Sequence, residues 1–301
     1  MQNKPDLDKV RAVLPGNVTL HHELGEGGFK VAYRGEVNGI IEAVKIVHIP
    51  VDPADPTIEE ENRPAEGENR RRLRRELDLL GQCKSAFIVK LGQLESMDCM
   101  IDREQFVCYS EELVEGQSLR QIIETGHRPS DKELASLGMC LISVVVELEK
   151  LETIHRDIKP ENVIKTCDPR RPFILLDLGI AFVVGGTNLT RDALLIPGTR
   201  PYLAPEMLNF DFRRTLDYRA DLYTIGLTLY EYASGINPFS VPGDPQTTLF
   251  HIKYSNPQPL SGLRPDLDRN FCEIVDQLMR KLPALRPANL TLLIKRMEAY
   301  K

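Results

Sequence analysis

The sequence predicts an α+β fold with its strands gathered in roughly the first 115 residues and its helices in the remainder. Two observations carry that expectation. Strand-like runs at 18–20, 24–34, 40–47 and 105–113, the second interrupted by glycines and the third rich in β-branched residues, read as short strands joined by turns. Beyond them, apolar residues recur at helical spacing over 131–152, 217–231, 245–254 and 268–281. With 301 residues, 42% hydrophobic and 27% charged, the chain can build one large domain or two packed lobes.

The bulk properties exclude several classes of partner. Lys and Arg number 38 against 44 Asp and Glu, a net charge of −6, so neither nucleic acid nor an anionic membrane is expected to bind. Cysteines at 83, 99, 108, 140, 167 and 272 form no CxxC pair and have no histidine at zinc-finger spacing, so they read as reduced, buried thiols. No apolar run opens the sequence, and no window approaches the roughly 20 apolar residues of a membrane span. A soluble, cytoplasmic chain without receptor modules or repeats is the expectation.

Taken in order, residues 1–17 carry Pro5, Pro15 and Gly16 among alternating charges and read as a partly ordered lead-in. A glycine hairpin follows, Gly25-Glu26-Gly27-Gly28-Phe29-Lys30, whose amides can approach phosphate oxygens because no Cβ intervenes. The strand at 40–47 contains Lys45, and a lone lysine in a strand is ordinarily a surface residue. Residues 50–68, rich in proline and acid, read as an inserted solvated loop. The next run sets Leu73, Leu77 and Leu80 on one helical face and arginines on the other. After the apolar helix at 131–152 comes a polar loop, then a buried strand at 173–176 ending at Asp177. From 180 to 205 periodicity is lost and Gly185, Gly186, Thr187, Thr190, Gly198 and Thr199 appear, and an irregular segment of that length is commonly functional. The helix at 217–231 is apolar but for one inward acid, Asp221.

Chemistry concentrates in His155-Arg156-Asp157-Ile158-Lys159-Pro160-Glu161-Asn162. Asp157 can accept a hydroxyl proton, Lys159 can meet a transferring phosphoryl group, and Asn162 offers a neutral oxygen to Mg²⁺.

This octapeptide resembles the catalytic loop of the eukaryotic-type (Hanks-type) protein serine/threonine kinases, and the wording at 217–231 resembles bacterial members. The resemblance extends over residues 18–297 and implies a two-lobed fold. Its N-lobe, 18–115 with the acidic insertion at about 50–68, would hold a five-stranded antiparallel sheet and the C-helix. Its C-lobe, 116–301, would be mainly helical with an activation loop at 177–206. ATP would lie on Gly25, Glu26, Gly27, Gly28, Val31, Ala43, Glu112, Val114 and Ile164, with Lys45 on the α- and β-phosphates and paired to Glu76. Glu111 would fall at the gatekeeper position, and Lys30 stands where the family pattern has a third glycine. Asn162 and Asp177, the latter in Asp-Leu-Gly, would hold Mg²⁺, with Mn²⁺ as a substitute. Asp157, Lys159, Asn162, Lys45 and Glu76 would form the catalytic set.

The same resemblance implies that Thr199 bridges Asp157 and Lys159, that Asp221 props the catalytic loop, and that Arg286 pairs with Glu206. A phosphate on Thr187 or Thr190 would be clamped by Arg156. Protein substrates are the implied partners, with self-association for trans-autophosphorylation. Two other functions stay open on the sequence: a pseudokinase or nucleotide-sensing scaffold, and a small-molecule kinase, which ordinarily lacks the Gly198-Thr199 and Ala204-Pro205-Glu206 pair.

Overall fold

A computed structural model describes residues 4–27, 29–49, 68–178, 182–183, 200–209, 212 and 215–300. The chain divides into two compact units, 1–82 with 89–114, and 83–88 with 115–301. The division falls after Val114 rather than after Glu115. The excursion at 83–88 has a backbone cause: Leu175 donates to the Phe87 carbonyl at 2.8 Å, and Ile88 bridges Leu175.

The first unit opens with α1 (Leu7–Val13), where the sequence reads only a lead-in. Asp6 explains the helix, since its carboxylate accepts the amides of Asp8 and Lys9. Strands β1 (Val18–Glu26), β2 (Lys30–Val37) and β3 (Ile40–Ile49) are followed by α2 (Glu68–Gln82), β4 (Met97–Ile101) and β5 (Glu104–Glu112). The strands form one antiparallel sheet in the order β1-β2-β3-β5-β4. Two tight turns set its register: Asn38-Gly39 and Asp102-Arg103 have positive φ at both positions, which matches the twist of the strands they join.

Alternation then sorts the side chains. Val44, Ile46, Phe106 and Cys108 point to the face that α1 closes with Val10, Leu7 and Val13. Val47, Ile49, Val107 and Tyr109 point to the other face, against Leu73 and Leu77 of α2. Lys45 lies directly across from Tyr109, and by this parity it belongs to the α2 face.

The second unit holds β6 (Gln117–Ser118), α3 (Leu119–Glu124), α4 (Asp131–Lys150), β7 (Thr153–Ile154), β8 (Val163–Lys165), β9 (Phe173–Leu175) and β10 (Phe182–Val183). It continues with α5 (Arg219–Ser234), α6 (Pro245–Tyr254), α7 (Leu260–Leu263), α8 (Arg269–Leu278) and α9 (Leu290–Glu298). A capping box between Ser118 and Gln121 starts α3, and Ser130 caps α4. Every residue of α5 from 220 to 233 is buried, and α3, α4, α7 and α8 pack on it. The 155–162 loop runs from β7 to β8, which lies between β6 and β9 in a small sheet.

Candidate active site

Asp157 is the centre of a compact polar trio. Its carboxylate oxygens accept from the Lys159 ammonium at 2.8 and 2.9 Å, and the Asn162 amide donates to one of them at 2.9 Å. The same amide nitrogen donates to the Asp157 carbonyl at 2.9 Å, which leaves the Asn162 amide oxygen as the ligand this side chain can offer a hard cation. A single turn at Pro160–Asn162 brings the three together. Burial pushes the Asp157 carboxyl above its ordinary value, and the neighbouring Lys159 charge works against that rise.

The loop is held from beneath. Asp221, fully buried on α5, accepts the amides of His155 and Arg156 at 2.8 Å each. Arg156 has φ +70°, so the chain is bent into the left-handed region where those two amides converge on one carboxylate. Burial raises the Asp221 carboxyl and lowers the His155 imidazole. Asp177 repeats the left-handed geometry at φ +68°, and the Leu178 side chain beside it is completely buried.

A second network escapes the sequence. Arg120 of α3 donates to Glu161 at 2.8 Å, to Glu231 at 2.8 Å and to the Tyr202 hydroxyl at 2.5 Å, and that hydroxyl also bonds Glu231. It ties the 160–162 turn to α3 and α5. Glu231 is a second acid in the apolar helix that carries Asp221, and that was the signal available. The expected Arg286–Glu206 pair is present and two-pronged, at 2.6 and 2.8 Å.

In the first unit, Lys45 departs from expectation. Its ammonium lies 2.6 Å from Oε2 of Glu111 and 5.9 Å from the centre of the Tyr109 ring. Glu111, and not Glu76, is thus the acid at ion-pair distance from Lys45 among the described residues. The reason is register: Ala43 pairs with Glu111 and Lys45 with Tyr109, which makes Lys45 and Glu111 diagonal neighbours on one face. Glu76 is buried on α2.

The other expected nucleotide contacts are distributed between the units. Val31 is buried and Ala43 half-buried in the first sheet, and the Gly27 amide closes the glycine hairpin on the Lys30 carbonyl at 2.8 Å. The Glu26 carboxylate pairs with Lys4 at 3.0 Å, a contact that lowers its pKa, and Gly25 precedes it in β1. Glu112 exchanges backbone and side-chain bonds with Lys90, and Val114 ends the first unit. Ile164 belongs to the second unit, on β8. Gly28, the insertion at 50–67, and Thr187, Thr190 and Thr199 lie outside the described residues.

Comparison with known proteins shows the family. The model of the protein kinase domain matches residues 18–296. Serine/threonine-protein kinase pkn2 of Myxococcus xanthus is 29% identical over 284 residues, 91% of this chain and 31% of the relative. The same organism's serine/threonine-protein kinase pkn3 is 27% identical over 298 residues, covering 95% and 50%. Serine/threonine-protein kinase PknH of Mycobacterium tuberculosis is 27% identical over 276 residues, covering 91% and 40%. The chain thus spans half or less of the length of these curated relatives.

Proposed function

The chain belongs to the protein kinase domain family, and from that premise we propose that it is an ATP-dependent protein serine/threonine kinase. The observation that carries the reading is the trio of Asp157, Lys159 and Asn162 gathered in one turn and pinned to the core through Asp221. Asp157 orients the acceptor hydroxyl and takes its proton. Lys159, already on that carboxylate, balances charge on the phosphoryl group in transit. Lys45 positions the α- and β-phosphates. The Asn162 amide oxygen and the Asp177 carboxylate would hold a divalent cation such as Mg²⁺, which would supply charge neutralisation to the phosphates. Phosphoryl transfer asks little more of a protein than this positioning and neutralisation.

The relatives' names support serine or threonine as the acceptor, and the family model supports use of ATP with a divalent metal. We extend the reading to a cytoplasmic enzyme acting on protein substrates, with self-association and autophosphorylation in the 177–206 segment. Among the described residues no helix is long and apolar enough to cross a membrane. One observation favours a second reading, a nucleotide-sensing scaffold: Lys45 is engaged by Glu111.

Transfer of labelled γ-phosphate from Mg·ATP to the purified chain and to a generic protein, with Asp157→Asn beside it, separates the two. Label that maps to serine or threonine and disappears in the variant is the expected result. Nucleotide-dependent thermal stabilisation without any label would establish the scaffold instead.

A further inference from the structure

Lys45 and Glu111 form an ion pair set by the sheet. Both are buried, and both lie on the face that α2 covers, in the row with Val47, Val107 and Tyr109. Glu111 is 2% exposed. Its Oε2 meets the ammonium at 2.6 Å, while its Oε1 is enclosed without a hydrogen-bond partner. The Lys45 ammonium is the counter-charge that this enclosed carboxylate meets. A second acid shares the layer: Glu76 is buried on α2 between Leu73 and Leu77, which pack against that row.

We propose that Glu111 is a positioning residue that acts through Lys45, holding the ammonium at the end of β5 and setting the affinity for the phosphate tail of a nucleotide. The inference rests on the kinase reading, in which Lys45 meets the α- and β-phosphates. The pair has no net charge, so an arriving polyphosphate gains less from it than from an unopposed lysine. Drawing Lys45 toward phosphate, with Glu76 as its other acid, also strips Glu111 of its counter-charge. Both effects oppose phosphate and leave the base and ribose untouched. The signature is therefore an affinity penalty seen with nucleotides and absent with nucleosides.

The test is calorimetric titration of the full chain with Mg·ADP and with adenosine, for the wild type, Glu111→Gln, Lys45→Met and the double variant. Glu111→Gln keeps the shape and removes the charge. It is expected to tighten Mg·ADP by about tenfold relative to adenosine, through relief of like-charge repulsion. In the Lys45→Met background the same change leaves the ratio of Mg·ADP to adenosine affinity unaltered, because Glu111 acts through the Lys45 ammonium. If Glu111→Gln does not fold, Glu111→Met carries the same comparison. An unaltered ratio of Mg·ADP to adenosine affinity, or weaker Mg·ADP binding, in a chain that binds both ligands would overturn this inference alone. A wild type that binds neither ligand would overturn the nucleotide reading and this inference together.

Discussion

Two lysine–carboxylate pairs, Lys159–Asp157 and Lys45–Glu111, are made of the same chemistry and specified in opposite ways. The first is written in six consecutive residues, where one turn brings Asp157, Lys159 and Asn162 together. The second joins separate strands and exists because β3 and β5 pair with Ala43 opposite Glu111. A slip of one residue in that pairing would send Glu111 to the other face. A contact coded by local backbone is carried wherever its motif is found, whereas a contact coded by register depends on the whole sheet.

The sharpest way to break this contrast is at the local pair. Asp157→Asn should lower single-turnover phosphoryl transfer by about 10²–10⁴-fold, the range that general-base catalysis supplies, with Mg·ATP binding retained. Undiminished transfer would mean that the local trio is not the catalytic centre.

Arg286–Glu206 lies between the two cases, distant in sequence yet expected from motifs. Arg286 also donates to the carbonyls of Arg219, Arg280 and Lys281. Arg286→Ala leaves Glu206 and those carbonyls bereft in a buried setting. A loss of about 3–5 kcal/mol in urea unfolding is expected.

Register is probed by Gly92→Ala. A Cβ there would stand 2.4 Å from Oε2 of Glu42 and 2.4 Å from the Ser110 hydroxyl. These groups bond each other at 2.5 Å, and Glu42 accepts the Gln93 amide, so β3 and β5 are linked to the 92–94 segment through one buried carboxylate. Overpacking should cost about 1–3 kcal/mol, with hydrogen exchange quickened in the first unit and unchanged in the second.

A third lysine shows what happens without a carboxylate. Lys281 donates to the Ile252 carbonyl at 2.6 Å and lies 3.9 Å from the Phe239 ring centre. Burial, aided by the Arg286 charge, brings its pKa down to about 8 from 10.5. Between those values the unfolded chain binds the extra proton, so the stability of the folded chain should rise with pH across that window. Lys281→Met should lack that rise when unfolding is followed from pH 8 to 10.5.

What could be seen in the sequence follows the same division. Strand-like runs, helix spacing, the trio at Asp157 and the support from Asp221 are short-range or motif-borne, and they are visible in the sequence. The α1 helix was not, because Pro5 and the scattered charges obscured the single cap at Asp6. The partner of Lys45 was assigned to Glu76 because motif order does not encode the diagonal between β3 and β5. Arg120, Tyr202 and Glu231 converge from separate elements, and Glu231 alone, an acid in an apolar helix, left a trace. The buried Glu42 left none, since its hydrogen bonds reach a hydroxyl and an amide distant in sequence.

Asp221 has a thermal consequence. It suspends the His155 and Arg156 amides from a helix with no solvent face along 220–233, so the loop has no local route by which to melt. On heating, loss of catalytic geometry and collapse of the second unit's core should coincide as one cooperative event, with no inactive but still folded stage between them.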